Sequence, residues 1–263
     1  MPDEHDPSHP EGLQTLSITL EVIDELKSND GSTVAELQDE LKLSKSAIYN
    51  HLNTLRDHEL VVKEDEDFKL SYMFTLLGEY VRDQSTLYSV AKEPIDELAA
   101  SVGYTAHLVT AEHHNRIELA VAMGSNAVKR RVSSVYDPLD FHTTASGKAI
   151  LAFTDDDTRD HIIGKHGIPE RTPNTITDRD ELAKHLTQVR EKGYAVNDEE
   201  EIEGLRGVGA PIKAQSGGVK GAISVSAPVG RLSEEQIHAD LAEQVQQVAN
   251  VVQLDLNMSS RTT

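Results

Sequence analysis

The stretch SKSAIYNHLNTLRDH, residues 44–58, decides how this chain is read. On a helix at about 100° per residue, Ile48, Leu52 and Leu55 form one apolar stripe. Lys45, Ser46, Tyr49, Asn50, Asn53 and Arg56 fall on the opposite face. Ser44 is a suitable N-cap, because its hydroxyl can accept from a first-turn amide that has no helical partner. Amides, a phenol and two cations on one exposed face match the major groove of duplex DNA. Asn can pair with adenine edges, Arg with guanine, and Lys or Ser with bases or phosphate. Standing alone, such a face is more often merely solvated, so its neighbours decide.

Upstream, Leu16, Leu20, Ile23 and Leu26 recur at helical spacing until Asn29-Asp30-Gly31 ends the run. Thr33 and Glu36 form a capping-box pattern opening a short second helix that carries Leu37 and Leu41. Downstream, LVVK at 60–63 and FKL at 68–70 flank the acidic tip EDED at 64–67, which predicts a hairpin. Helix, helix, turn, helix and hairpin is the order of a winged helix-turn-helix, predicted over 13–72. Lys63 and Lys69 are candidate phosphate contacts, while the acidic tip argues against a wing inserted into a minor groove. Residues 1–12 read as a disordered polar lead. A linker helix is expected over 73–100, with Pro94 separating it from a second helix. Its surplus of apolar residues predicts contact with a second copy, since readers of this type dock on two half-sites.

The chain of 263 residues is long enough for two domains. Without cysteine it has no disulfide, thiolate nucleophile or Cys-ligated zinc. No apolar run approaches a bilayer span and no secretory segment opens the chain, so a cytoplasmic protein is expected. The formal charge of −20 opposes DNA at low salt. Scarce Lys, abundant Asp and Glu and no Trp suit a salt-loving host. There the Debye length is roughly 3 Å at 1 M salt and distant acidic charge hardly acts.

From Tyr104 the apolar period changes to two, predicting strands over 105–111, 116–123 and 128–135. Helices are expected from Thr144 to 153, over 155–167, over 178–192 and over 233–258. Strands are expected at 194–197, 205–214 and 219–227, with Gly217-Gly218 as a hairpin turn. The predicted fold class is therefore α+β. Gly147-Lys148 is no phosphate loop, because His142 stands where that motif needs Gly, and no GxSxG elbow exists. His113, His114 and His142 lack metal-site spacing and read as surface histidines; Glu199-Glu200-Glu201 reads as a solvated loop. No nucleophile, base and orienting acid can be nominated, so no catalytic residue, metal or cofactor is expected. The helix start after Thr143-Thr144 offers free amides to an oxyanion. Ser224 and Ser226 share one strand face, lining a pocket or facing solvent.

Four motifs, KSAIYNHLNTL at 45–55, FHTTASGKAILAF at 141–153, GYAVNDEEEIEGLRGVGAPI at 193–212 and GAISVSAP at 221–228, resemble the IclR family of transcriptional regulators. The resemblance covers 13–257. It implies a winged helix-turn-helix, a linker helix and a GAF-like effector-binding domain over 101–258. It also implies dimers or tetramers that bind operator DNA and control catabolism of organic acids, sugars or aromatic compounds. Carried over by motif, the effector pocket falls on Ala145, Ser146, Asn197, Gly207, Ser224 and Ser226. Members that bind small keto acids carry Asp and Cys where this chain has Asn197 and Gly207, which implies a larger or different ligand. Many members have Arg where Asn50 stands, which implies a different operator. The expected role is regulatory rather than enzymatic. The rivals are a hydrolase of small carboxylates using the C-terminal domain, and a constitutive DNA-binding protein whose C-terminal domain only oligomerises.

Overall fold

A computed structural model describes residues 12–127, 140–215, 217–232 and 240–259. The chain divides into two compact units between Val81 and Arg82.

In the first unit, α1 (Gln14–Ser28), α2 (Val34–Leu41) and α3 (Lys45–Asp57) precede strands β2 (Val61–Glu64) and β3 (Asp67–Leu70). A two-residue strand, β1 (Ser32–Thr33), joins them in the order β1-β3-β2 and was not foreseen. Helix α2 begins at a complete capping box, with Thr33 and Glu36 each holding the other's free amide. Ser44 caps α3 by accepting from Ala47 N at 3.3 Å. The stripe Ile48, Leu52 and Leu55 is buried with Val22, Leu26, Leu37, Val61 and Phe68. Leu16 and Leu20 of α1 turn outward instead, 56 % and 52 % exposed.

The expected linker over 73–100 is two helices, α4 (Met73–Asp83) and α5 (Thr86–Val102), and Pro94 does not divide them. The break falls at Gln84-Ser85, where Ser85 accepts from Tyr88 N at 3.2 Å and starts α5. Pro94 lies inside α5, at a cost of roughly 3 kcal/mol for a helix interior. Burial of Leu87, Ala91, Ile95, Leu98 and Ala99 against the sheet of the second unit offsets it. Helix α5 therefore belongs to the C-terminal core, and that unit starts at Arg82 rather than 101.

The second unit is a five-stranded antiparallel sheet in the order β5-β4-β8-β7-β6. Its strands are β4 (Thr105–Glu112), β5 (Asn115–Met123), β6 (Ala195–Asp198), β7 (Leu205–Lys213) and β8 (Val219–Pro228). One face carries α5 and the closing helix α9 (Ala242–Ser259) over Leu108, Val208, Ile212, Ile223 and Val225. The other carries α6 (Ala145–Phe153), α7 (Asp156–His166) and α8 (Arg179–Lys192) over Val109 and Ala222. The strand expected at 128–135 and the first part of the closing helix, 233–239, lie outside the described residues, as does most of the 1–12 lead.

Helix α6 meets the sheet at backbone distance. A Cβ on Gly209 would stand 2.7 Å from Ala145 C and 2.8 Å from Ser146 N. Gly209→Ala is expected to destabilise the second unit by about 1–3 kcal/mol through overpacking. Scanning calorimetry should show a lower midpoint for that unit; an unchanged midpoint would mean that α6 can retreat.

Candidate functional site

Where α6 points its N-terminus at the sheet, a cavity of roughly 580 Å³ opens. Its floor is two ranks of side chains, because antiparallel pairing sets residues of equal parity side by side. Asn197, Gly207, Ser226, Thr105 and Met123 are consecutive partners across all five strands. The next rank runs Ala195, Gly209, Ser224, His107 and Val121, of which the last three reach the cavity while α6 covers Gly209. Ala145 and Ser146 form the wall opposite, so all six residues assigned by motif line one cavity. Ser224 and Ser226 face into it.

Polar lining residues that escaped the sequence reading are Thr105, His107, Arg116 and Glu118 on β4 and β5, with Glu201 and Glu203 at the rim. Strict alternation would place Arg116 and Glu118 on the other face from Val121 and Met123. A bulge between Leu108 and Val109 shifts the register, pairing Leu108 with Ala120 but Val109 with Glu118. The extra residue on β5 reverses its parity, so Arg116 and Glu118 point into the cavity beside Thr105 and His107. Glu118 Oε1 lies 2.7 Å from His107 Nδ1, and His107 Nε2 lies 2.9 Å from Ser226 Oγ. Arg116, with its side chain 6 % exposed, donates to Ser146 Oγ at 3.1 Å. The cavity thus sets a guanidinium beside the helix N-terminus and a Ser–His–Glu relay across from it.

The acidic run at 199–201 is not a solvated loop. Glu200 is buried and pairs with Lys148 of α6, whose side chain is fully enclosed. Burial pushes the Lys148 ammonium down and the Glu200 carboxyl up, each opposed by the partner's charge. Asn197 Oδ1 accepts from Glu200 N at 2.9 Å. The hydroxyls of Thr172 and Thr175 donate to the carbonyls of Glu199 and Glu200, both at 2.7 Å. These bonds hold the segment that continues into Glu201, Ile202 and Glu203 of the cavity rim. His142 is likewise buried rather than at the surface, donating from Nε2 to Pro169 O at 3.0 Å.

In the first unit Lys45, Ser46, Tyr49, Asn50, Asn53 and Arg56 all lie exposed along one side of α3. The wing lysines are already engaged. Lys69 pairs with Glu64 at 2.8 Å, and Lys63 lies 3.8 Å from Glu66 and over the Phe68 ring. All four chains are accessible enough for such pairs to be weak. The acidic hairpin tip thus holds both lysines that the sequence offered as phosphate contacts.

Burial, with Lys148 and Lys192 nearby, holds the His185 imidazole at about 4, below the ordinary 6.5. The unfolded chain therefore binds more protons than the folded one between those two values, and stability is lost as pH falls through that window. The transition midpoint of the second unit should drop from about pH 6.5 towards pH 4, and His185→Phe should flatten part of that slope. Lys148→Met should cost about 3–5 kcal/mol by stranding the Glu200 carboxylate, with partial recovery on adding Glu200→Gln. Urea unfolding monitored on both variants measures this.

The chain matches a family model described as the bacterial transcriptional regulator IclR C-terminal domain over residues 80–254, and a helix-turn-helix model over 17–64. It is 34% identical to a probable HTH-type transcriptional regulator ArcR of Halobacterium salinarum, covering 97% of this chain and 98% of that one. It is 28% identical to the HTH-type transcriptional regulator KdgR of Dickeya chrysanthemi, over 89% of this chain and 77% of that one. The crystal structure of Thermotoga maritima IclR superposes with a TM-score of 0.73 at 25% identity, covering 94% and 100% of the two chains. An IclR homologue of Microbacterium hydrocarbonoxydans solved with 4-hydroxybenzoate shares the fold, with a TM-score of 0.75 at 21% identity over 93% and 100%. Among the described residues no helix is long and apolar enough to cross a membrane. With a helix-turn-helix unit and an effector-type unit matched in order along the chain, this protein belongs to the IclR family of transcriptional regulators.

Proposed function

We propose that this chain is a cytoplasmic, ligand-responsive regulator that binds operator DNA through α3 and senses a small metabolite in the cavity beneath α6. The observation that carries the proposal is convergence. Six residues distant in sequence, Ala145, Ser146, Asn197, Gly207, Ser224 and Ser226, line one cavity large enough for a small organic molecule. Lys45, Ser46, Tyr49, Asn50, Asn53 and Arg56 supply base and phosphate contacts, with Lys63 and Lys69 available to phosphate when released from the wing glutamates. The target genes are those of carbon-source catabolism, the effector an organic acid, sugar derivative or aromatic compound. The active form is a dimer or tetramer of the chain. Exposed Leu16 and Leu20 of α1 and Leu76, Leu77 and Tyr80 of α4 give the first unit an apolar surface suited to a second copy. Ligand switches the regulator only by binding one DNA-competent arrangement better than another.

One observation favours a second reading. Ser226, His107 and Glu118 are spaced as nucleophile, base and orienting acid, the arrangement a hydrolase of small carboxylate esters needs. Against it, Ser226 sits mid-strand in regular pairing with Gly207 and Thr105 rather than on a strained strand-to-helix elbow. Turnover of p-nitrophenyl acetate by the full chain, lost in Ser226→Ala, would establish that reading.

Asn50→Ala is expected to cost about 1–3 kcal/mol on the operator and little on random DNA, as measured by fluorescence anisotropy in matched salt. Equal loss on both would assign Asn50 to phosphate. Chromatin occupancy of the tagged protein on contrasting carbon sources should give discrete sites beside a catabolic operon that change with one source. No specific site under any condition would overturn the proposal.

A further inference from the structure

The His107 ring has both nitrogens engaged, and that fixes what Ser226 can offer a ligand. An ionised carboxylate only accepts, so the hydrogen facing Glu118 sits on Nδ1. A neutral ring then accepts at Nε2, and Ser226 gives its one hydroxyl hydrogen to the ring. What Ser226 turns towards the cavity in that state is a lone pair. A protonated ring donates from Nε2 instead, and the Ser226 hydrogen is released to the cavity. One proton on His107 therefore converts Ser226 from an acceptor into a donor.

Among the described residues, the charged groups that line the cavity with His107 are these. From β5 come Arg116 and Glu118, and the rim segment adds Glu201 and Glu203. Strand β8 contributes no charged residue, its polar members being Ser224 and Ser226, and α6 contributes the uncharged Ala145 and Ser146, since its Lys148 is turned to Glu200. An anion entering the cavity has attractive partners in Arg116, the Ser146 hydroxyl and the amides at the start of α6. It also brings negative charge close to Glu118, whose carboxylate the Arg116 guanidinium meets only at 4.0 Å, and confronts the Ser226 lone pair. A proton on His107 removes both penalties at once, because Glu118 is 2.7 Å away to balance it.

We propose that the cavity takes up a monocarboxylate together with one proton, which goes to His107, while Ser226 turns its hydroxyl hydrogen to the ligand. The inference rests on the cavity being the effector site. Neutral ligands that donate a hydrogen bond, such as amides, are accepted by Ser226 without proton uptake. The regulator therefore responds to acidity as well as to metabolite, its apparent affinity for a carboxylate falling as pH rises.

The test uses the full chain and a panel of monocarboxylates, acetate to 4-hydroxybenzoate, with the matching amides. Thermal shift at about pH 6 and about pH 8 selects binders. Isothermal titration in two buffers of different ionisation enthalpy then counts protons. Expected is uptake of up to one proton per carboxylate, with affinity weakening up to about tenfold per pH unit between the two pH values. His107→Gln should bind the same carboxylate more weakly than the wild type and without buffer dependence, and the wild-type buffer comparison stands even if that variant fails to fold. Carboxylate binding without proton uptake, or binding of amides alone, would overturn the proposal while leaving the cavity as the effector site. Binding of neither class would overturn both.

Discussion

Helix α6 can lie against the sheet at backbone distance only because Gly209 lacks a side chain. A Cβ on Gly209 would enter the peptide joining Ala145 to Ser146, and one on Gly207 would meet Val225 O at 3.0 Å. The contact brings the positive end of a nearly all-buried helix onto the middle of the sheet. At the other side of the same turn, Gly147 leaves room for the Phe141 carbonyl, which a Cβ would approach to 2.3 Å. Thr144 then closes the turn by accepting from Gly147 N at 3.1 Å. The glycines thus serve close approach rather than flexibility, and the cavity is the space left where the helix ends and the sheet continues.

The second constraint is electrostatic. Enclosing Lys148 inside α6 is costly unless its charge is met, and Glu200 meets it from the far edge of the sheet. That pairing fixes the 198–200 turn, which Thr172, Thr175 and Asn197 also hold through hydrogen bonds. One wall of the cavity and its rim are therefore tied to the same helix that supplies the opposite wall. A ligand seated between Ser146 and the serines of β8 would press on elements that share a buried ion pair, and such connected packing is what a conformational response requires.

The acidic balance of the chain shapes its dealings with DNA differently. With 45 acidic and 25 basic residues, non-specific attraction to phosphate is weak. The wing lysines sit in exposed pairs with Glu64 and Glu66. On the proposed function, recognition would lean on the polar face of α3, whose amides and hydroxyls lose little when salt is high. This division of labour suits strong ionic screening.

The sequence by itself determined the elements with local causes. The α3 stripe, the Thr33 and Ser44 caps, the wing and the five described strands of the second sheet follow from period, capping and turn chemistry within a few residues. Tertiary structure alone decided the rest. The solvation of Glu200 depends on Lys148, fifty-two positions away. The place of Pro94 inside α5 depends on a cap at Ser85 and on burial against the sheet. Arg116 and Glu118 enter the cavity only because a bulge reverses the parity of β5, and an alternating pattern carries no mark of an extra residue. The Ser226–His107–Glu118 relay joins three strands, so nothing local in the chain announces it. Local periodicity is written residue by residue, whereas register and the pairing of buried charges exist only once strands and helices have met.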